Sequence, residues 1–351
     1  MNFVSDNVMG ASELVLQAIL RANDGAQAAY GTDEITRRVE RRFNDVFERE
    51  VAVFPVLTGT AANALALAAS VPPYGLCVCH REAHVIDDEC GAPEFYTHGA
   101  KLAGLAGVGA KLAPAALEAF LASLSSSVKQ MPAKALSISQ ATECGLAWNV
   151  DEIAALSAIC SGRGLALHMD GARFANALVA LGCTPAEMTW KAGVDILSFG
   201  ATKNGCLAAE AVIVFDPALA GTLGYRRKRA GHTLSKGRLV AAQLDAYLAE
   251  DHWLDNARHA NSMAARLAEG LAVVPGIRLA WPVEANEVFP IMSRRTEQAL
   301  RRAGADFREW SDLSLPENEA VGSNETLVRF VASFATEASE IDQVVAAART
   351  A

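Results

Sequence analysis

The chain has 351 residues, 51% hydrophobic and 20% charged, with 31 Lys+Arg against 40 Asp+Glu and a formal charge of -9. That balance excludes a disordered or fibrous chain. The acidic net charge, with no basic run longer than Arg226-Arg227-Lys228-Arg229, argues against a nucleic-acid partner.

Along the chain, β-type runs are expected at 51–54, 76–80, 135–139, 165–169, 196–199 and 211–215. Residues 51–79 carry no charge. Pro55, Thr58-Gly59-Thr60, Asn63 and Pro72-Pro73 interrupt them, so they predict buried soluble core rather than a membrane span. The Ala-rich stretch 100–125 predicts a helix from near Pro114, and helical spacing recurs at 151–160 and 173–181. Strands alternating with helices predict an α/β fold with a mostly parallel sheet covered on both faces. Helical patterns at 237–249 and 255–272 lead out of this region. Beyond them, β-type runs at 277–281, 287–292 and 327–333 flank helical patterns at 295–303 and 337–349. The expected organisation is a large domain over 1–250 and a small α+β domain over 251–351.

Seven cysteines, an odd number without a Cys-x-x-Cys pair, predict free thiols in a reducing cytoplasm. The segment after Met1 has neither a basic nor an apolar region, so no signal peptide is expected. No His or Cys spacing suggests a metal site.

In an open α/β sheet, ligands collect at the carboxyl ends of the strands. After the first β-run comes Thr58-Gly59-Thr60-Ala61-Ala62-Asn63, a small-residue turn opening a helix whose free N–H groups suit an anion. The run at 165–169 leads into Asp170-Gly171-Ala172-Arg173, and the run at 196–199 leads into Thr202-Lys203. Singly, each has a plain structural reading: a helix cap, a local ion pair, a solvated lysine. Together, a lysine, a carboxylate and a phosphate-type turn on one sheet edge are what pyridoxal phosphate requires of a protein.

On these residues the sequence resembles the fold type I pyridoxal-phosphate enzymes, and within them the low-specificity L-threonine aldolases of the β-eliminating lyase group. Ser5-Asp6, Ala29-Tyr30-Gly31-Thr32-Asp33, Ala83-His84-Val85, His168-Met169-Asp170 and Leu327-Val328-Arg329-Phe330 extend the resemblance over nearly the whole chain. The resemblance implies that Lys203 carries the cofactor covalently, that Asp170 holds the pyridine nitrogen protonated, and that His84 stacks on the ring. It implies that Gly59 and Thr60 take the phosphate. Ser5, Arg173 and Arg329 would anchor the substrate carboxylate, with Tyr30 near the site across a dimer interface. It further implies a homodimer or homotetramer with shared active sites.

The implied reaction is retro-aldol cleavage of L-threonine, L-allo-threonine and related β-hydroxy-α-amino acids such as phenylserine to glycine and an aldehyde. Holding the carboxylate aims the Cα–Cβ bond for cleavage. Two positions depart from the family. Where relatives carry Asn-Thr-His, this chain reads Gln140-Ala141-Thr142-Glu143, leaving Glu143 or His84 to take the hydroxyl proton. A phosphate-binding Arg of relatives aligns with Ser235, leaving Lys236 or Arg238 as the substitute charge, or the Arg226-Arg227-Lys228-Arg229 cluster, although a charge run more often forms a solvated helix face. Two further readings compete: β-elimination or transamination with the same cofactor, and a non-catalytic cofactor-binding protein. The intact lysine, aspartate and arginines weigh against the last.

Overall fold

The computed structural model describes all 351 residues. A seven-stranded sheet is built from β1 (Ala52–Val56), β2 (Leu76–His80), β3 (Lys101–Leu105), β4 (Ala133–Ser139), β5 (Ala166–Gly171), β6 (Ile196–Gly200) and β7 (Glu210–Val214), in the order β1-β7-β6-β5-β4-β2-β3. Strands β3, β2, β4, β5 and β6 are mutually parallel. Strand β7 is antiparallel to both β6 and β1, which leaves β1 running with the parallel set. The carboxyl ends of β1, β2, β4, β5 and β6 therefore open on one edge, where β7 begins. The chain leaves β2 toward β3 on one side and β4 on the other, which creates the switch point at which such sheets hold ligands.

The six expected β-runs of the large sheet all correspond to strands. The seventh strand, β3, lies in the stretch expected to be Ala-rich and helical only from Pro114. Its sequence Lys-Leu-Ala-Gly-Leu has almost no β-branched signal, and pairing with β2 over all five residues fixes it as an edge strand. The helix itself is present as Pro114–Ser123. The uncharged stretch 51–79 is strand, helix Gly59–Ser70 and strand, and no helix is long and apolar enough to cross a membrane.

Close backbone approach explains two glycines at the working edge. A Cβ on Gly171 would lie 2.8 Å from the Ser198 carbonyl oxygen, and one on Gly200 would lie 2.7 Å from the Ala172 backbone. Only residues without a side chain let the ends of β5 and β6 run this close, and that proximity sets the segments bearing Asp170 and Lys203 side by side.

The main core gathers the inner faces of the sheet with an aromatic group that includes Phe43, Phe174, Phe199, Tyr247 and Trp253. A second core forms around β9 (Glu287–Val288), β10 (Pro290–Ser293), β12 (Glu325–Val331) and the helices Arg294–Arg302 and Ala338–Arg349, with short strands β8 (Arg278–Leu279) and β11 (Arg308–Glu309) completing the small sheet. Helix His252–Ala272 joins the two, contributing Trp253 and Ala257 to the first core and Ala264, Leu267 and Leu271 to the second. The extreme N-terminus crosses over: Phe3 is fully buried in the second core, and its N–H donates to the Asp306 carbonyl at 2.8 Å. Residues 4–8 are thereby laid across the open edge of the large sheet.

Candidate active site

A cavity of about 640 Å³ opens where the strand ends, the N-terminal turn and the small sheet meet. Ser5, Gly59, Thr60, His84, Glu143, Asp170, Arg173, Lys203 and Arg329 all line it. These nine residues come from seven different segments, which the fold brings to one place.

Lys203 projects from a single turn, Thr202–Asn204, closed by Gly205 at φ 118. The turn is rooted in the core: buried Asn204 donates through Nδ2 to the Tyr247 hydroxyl and the Trp253 carbonyl, both at 2.8 Å. Removing that amide would strand two buried acceptors, at about 1–3 kcal/mol. Burial pushes the Lys203 ammonium below its usual value, and the Arg173 charge adds to this. Asp6, Asp170 and Glu287 oppose the shift through their field. A lysine of lowered proton affinity is a competent amine nucleophile.

Asp170 sits at the end of β5, buried, accepting from the Ala172 N–H at 3.0 Å and from Asn63 Nδ2 at 2.8 Å. The same Asn63 nitrogen donates to Glu89 Oε1 at 2.8 Å, and Glu89 Oε1 receives His84 Nδ1 at 2.9 Å. The bond to Glu89 holds the His84 imidazole above its usual pKa against the opposing effect of burial. Helix Gly59–Ser70 carries Asn63 on its second turn and presents the Gly59 and Thr60 N–H groups, which have no carbonyl partner, at its N-terminus. Thr58 caps that end, and the space a Gly59 side chain would occupy is open.

Glu143 lies in the loop after β4, not on a solvated surface. Its Oε1 accepts from Ser139 Oγ at 2.6 Å and from the His84 N–H at 3.0 Å, while Oε2 is buried without a partner. Burial pushes this carboxyl up to about 7 despite those two donors.

The arginines are already engaged. Arg173 grips Asp6 with Nε at 2.8 Å and a terminal nitrogen at 3.1 Å, and its other terminal nitrogen is 3.4 Å from Glu287. Arg329 is 3.5 Å from the other Glu287 oxygen, donates to the Val4 carbonyl at 3.2 Å and lies over the Trp310 ring at 4.1 Å. Two buried acids and two buried bases make a locally neutral cluster, which lowers the cost of keeping guanidinium groups out of water. Burial works against the ionised form of Asp6, but Arg173 prevails and holds its carboxyl below the usual range.

Two expected site residues stand outside the cavity. Tyr30 is exposed at φ 59, with the Lys228 ammonium 4.9 Å above its ring. Lys236 is exposed as well, because residues 235–237 turn outward to begin the helix Arg238–Tyr247; Tyr30 donates its N–H to the Ser235 carbonyl at 3.0 Å. The other substitute cation considered for the phosphate, Arg238, instead donates to the Gly25 carbonyl at 3.1 Å.

A family description, beta-eliminating lyase, matches residues 2–294. The chain belongs to the beta-eliminating lyase family. Its affinity within the family is with low specificity L-threonine aldolases: it is 42% identical over 344 residues to one from Pseudomonas sp. (strain NCIMB 10558), covering 98% of this chain and 96% of that one. A Pseudomonas aeruginosa relative of the same description is 45% identical over 305 residues, covering 87% and 88%. Among solved structures, a threonine aldolase from Leishmania major superposes with a TM-score of 0.90 at 29% identity, covering 99% of this chain and 98% of that one, in the same fold type I architecture.

Family membership implies pyridoxal phosphate, and the cavity suits it: an unbonded lysine, a buried carboxylate fixed by two donors, an imidazole that feels the charge of both, and free helix N–H groups beside open space. Sequence reading missed Glu89, Asp6 and Glu287. Asp6 and Glu287 matter only through partners distant in the chain, the Asp6–Arg173 contact spanning 167 residues, and Glu89 gains its place through His84 five residues away and Asn63 twenty-six residues away.

Proposed function

We propose that this protein is a pyridoxal-phosphate-dependent aldolase that splits L-threonine, L-allo-threonine and related β-hydroxy-α-amino acids such as phenylserine into glycine and an aldehyde. The observation that carries this reading is the union, around one cavity, of Lys203 and Asp170 with a two-arginine carboxylate clamp and the proton-accepting Glu143. When bound, pyridoxal phosphate supplies an electron sink for the charge left at Cα as the Cα–Cβ bond breaks.

Within that frame Lys203 would hold the cofactor, Asp170 would keep its ring nitrogen protonated, His84 would stack on the ring, and the Gly59 and Thr60 N–H groups would take the phosphate. Ser5, Arg173 and Arg329 receive the substrate carboxylate; Arg329 Nε is buried without a partner and free for it, while Asp6 and Glu287 hold the Arg173 guanidinium in place. Fixing the carboxylate orients Cα–Cβ for cleavage. Glu143 Oε2, buried and free, accepts the β-hydroxyl proton, and its affinity near neutrality matches that task.

A second copy of the chain completes the assembly in this reading, as a homodimer or homotetramer. The exposed apolar residues Leu14, Leu16, Leu20, Tyr30 and Leu207 support it, as does the outward position of Tyr30 and Lys236, from which they would serve a neighbour's cavity. The two cores support a division near residue 250 into a large and a small domain. Seven free cysteines, five of them buried, support a cytoplasmic setting.

Purified protein loaded with the cofactor tests the activity. Release of benzaldehyde from L-phenylserine, followed by its ultraviolet absorbance, and of acetaldehyde from the two threonine diastereomers, through an alcohol-dehydrogenase couple, are expected. Ammonia without aldehyde would replace this reading with β-elimination.

A further inference from the structure

Glu89 is buried to 3% exposure and lines the cavity, with no role in binding or proton transfer assigned above. Its Oε1 accepts both His84 Nδ1 and Asn63 Nδ2, while its Oε2 is buried with no partner at all. Isolating a carboxylate in this way is costly unless a charge or strong donor answers it. The only cation in hydrogen-bond reach is His84, at 2.9 Å. The amide orientation of Asn63 is fixed by the same logic. Its nitrogen is 2.8 Å from Glu89 Oε1 and 2.8 Å from Asp170 Oδ2, and two carboxylates require the NH2 rather than the carbonyl between them.

We propose that Glu89 is a positioning residue that locks His84 with its Nδ1 proton directed at the Glu89 carboxylate, and through Asn63 ties that imidazole to Asp170 as one rigid unit. His84 Nε2 is then the ring nitrogen left without a protein partner. A histidine's second hydrogen bond decides which nitrogen is free, as in metal and catalytic sites. The charges that face His84 are Glu89 from its own segment, Asp170 from β5, Lys203 from the turn after β6, and Glu143, whose carboxylate takes the His84 N–H. Glu89 has the largest influence of these, and it raises His84; Asp170 raises it too, while Lys203 lowers it. Asp170 raises the Glu89 carboxyl beyond the effect of burial, while the bonds from His84 and Asn63 lower it.

The inference deepens the functional reading, because it specifies what holds the two groups assigned to the cofactor ring. Its test is independent of turnover. In 15N-labelled wild-type protein, the ring nitrogen shifts of neutral His84 should report the Nδ1–H form; the Nε2–H form would overturn the proposal. In Glu89→Gln, which keeps the side chain's shape and an acceptor but loses the charge, His84 should lose proton affinity about tenfold in an NMR titration. An unchanged His84 midpoint in a folded Glu89→Gln protein would reduce Glu89 to packing and overturn the proposal. The wild-type tautomer measurement decides the matter if the variant does not fold. Pyridoxal phosphate affinity, followed by fluorescence quenching, should weaken in Glu89→Gln; unaltered affinity would contradict the proposed coupling to Asp170. Failure to form glycine would instead count against the aldolase reading and leave these measurements standing.

Discussion

Replacing Glu143 with Gln changes one atom at the point where the aldolase account needs a proton acceptor. The amide oxygen can still accept from Ser139 Oγ and the His84 N–H, the two bonds that now fix Oε1. The new NH2 falls where Oε2 has no partner, so no existing bond is displaced and the loop should hold its shape. What disappears is a base. With its carboxyl at about 7, Glu143 is about half ionised at neutral pH and roughly one-tenth ionised a unit lower. A positioned general base contributes about 10²–10⁴-fold, or roughly 3–5 kcal/mol of barrier. Glu143→Gln should lower kcat for aldehyde release by that factor and leave KM near wild type, since Ser5, Arg173 and Arg329 still take the carboxylate. The wild-type rate should also fall on the acid side with a midpoint near 7, a limb absent from the residual rate of the variant. Steady-state aldehyde assays from pH 5 to 8 on both proteins provide the check. Full turnover in Glu143→Gln would refute the assignment and transfer the role to His84 Nε2.

Lys203→Ala should abolish glycine formation while keeping the far-ultraviolet circular dichroism and, since it removes a buried cation, lose no stability toward urea. Arg329→Ala should reduce kcat/KM by about 10–100-fold, the worth of a charge-assisted hydrogen bond, and Arg329→Lys should recover only part because an ammonium lacks the planar fork. Asp6→Asn tests the linkage at the clamp. The folded carboxyl of Asp6 lies below its usual 3.8, so its stabilisation is present above that value and is lost as pH falls through the lowered one. Urea midpoints should therefore show the variant about 3–5 kcal/mol less stable at neutral pH, with the gap closing below pH 3.8.

How much of this was legible in the sequence follows from the range of each interaction. Asp170 and Lys203 stood out because each follows a β-run directly, and strand ends in a parallel sheet share an edge by topology. Strand β3 escaped because Ala and Gly carry little β signal and an edge strand needs only one partner. The acids that surround the site were invisible for a different reason. Glu287 sits in a short, fully buried strand where an apolar residue is expected, and its meaning comes only from Arg173 and Arg329 arriving from the turn after β5 and from β12. Glu89 reads as one more surface charge after Asp87-Asp88 until Asn63 and His84 close over it. Lys236 lies next in sequence to the position of the missing arginine, yet it sits exposed in the turn before its helix.

The most direct test of the whole account is proton NMR of the products formed by the cofactor-loaded protein from L-threonine. The account predicts glycine and acetaldehyde in equal amounts, with neither formed by Lys203→Ala. The appearance of 2-oxobutanoate and ammonia instead would contradict it.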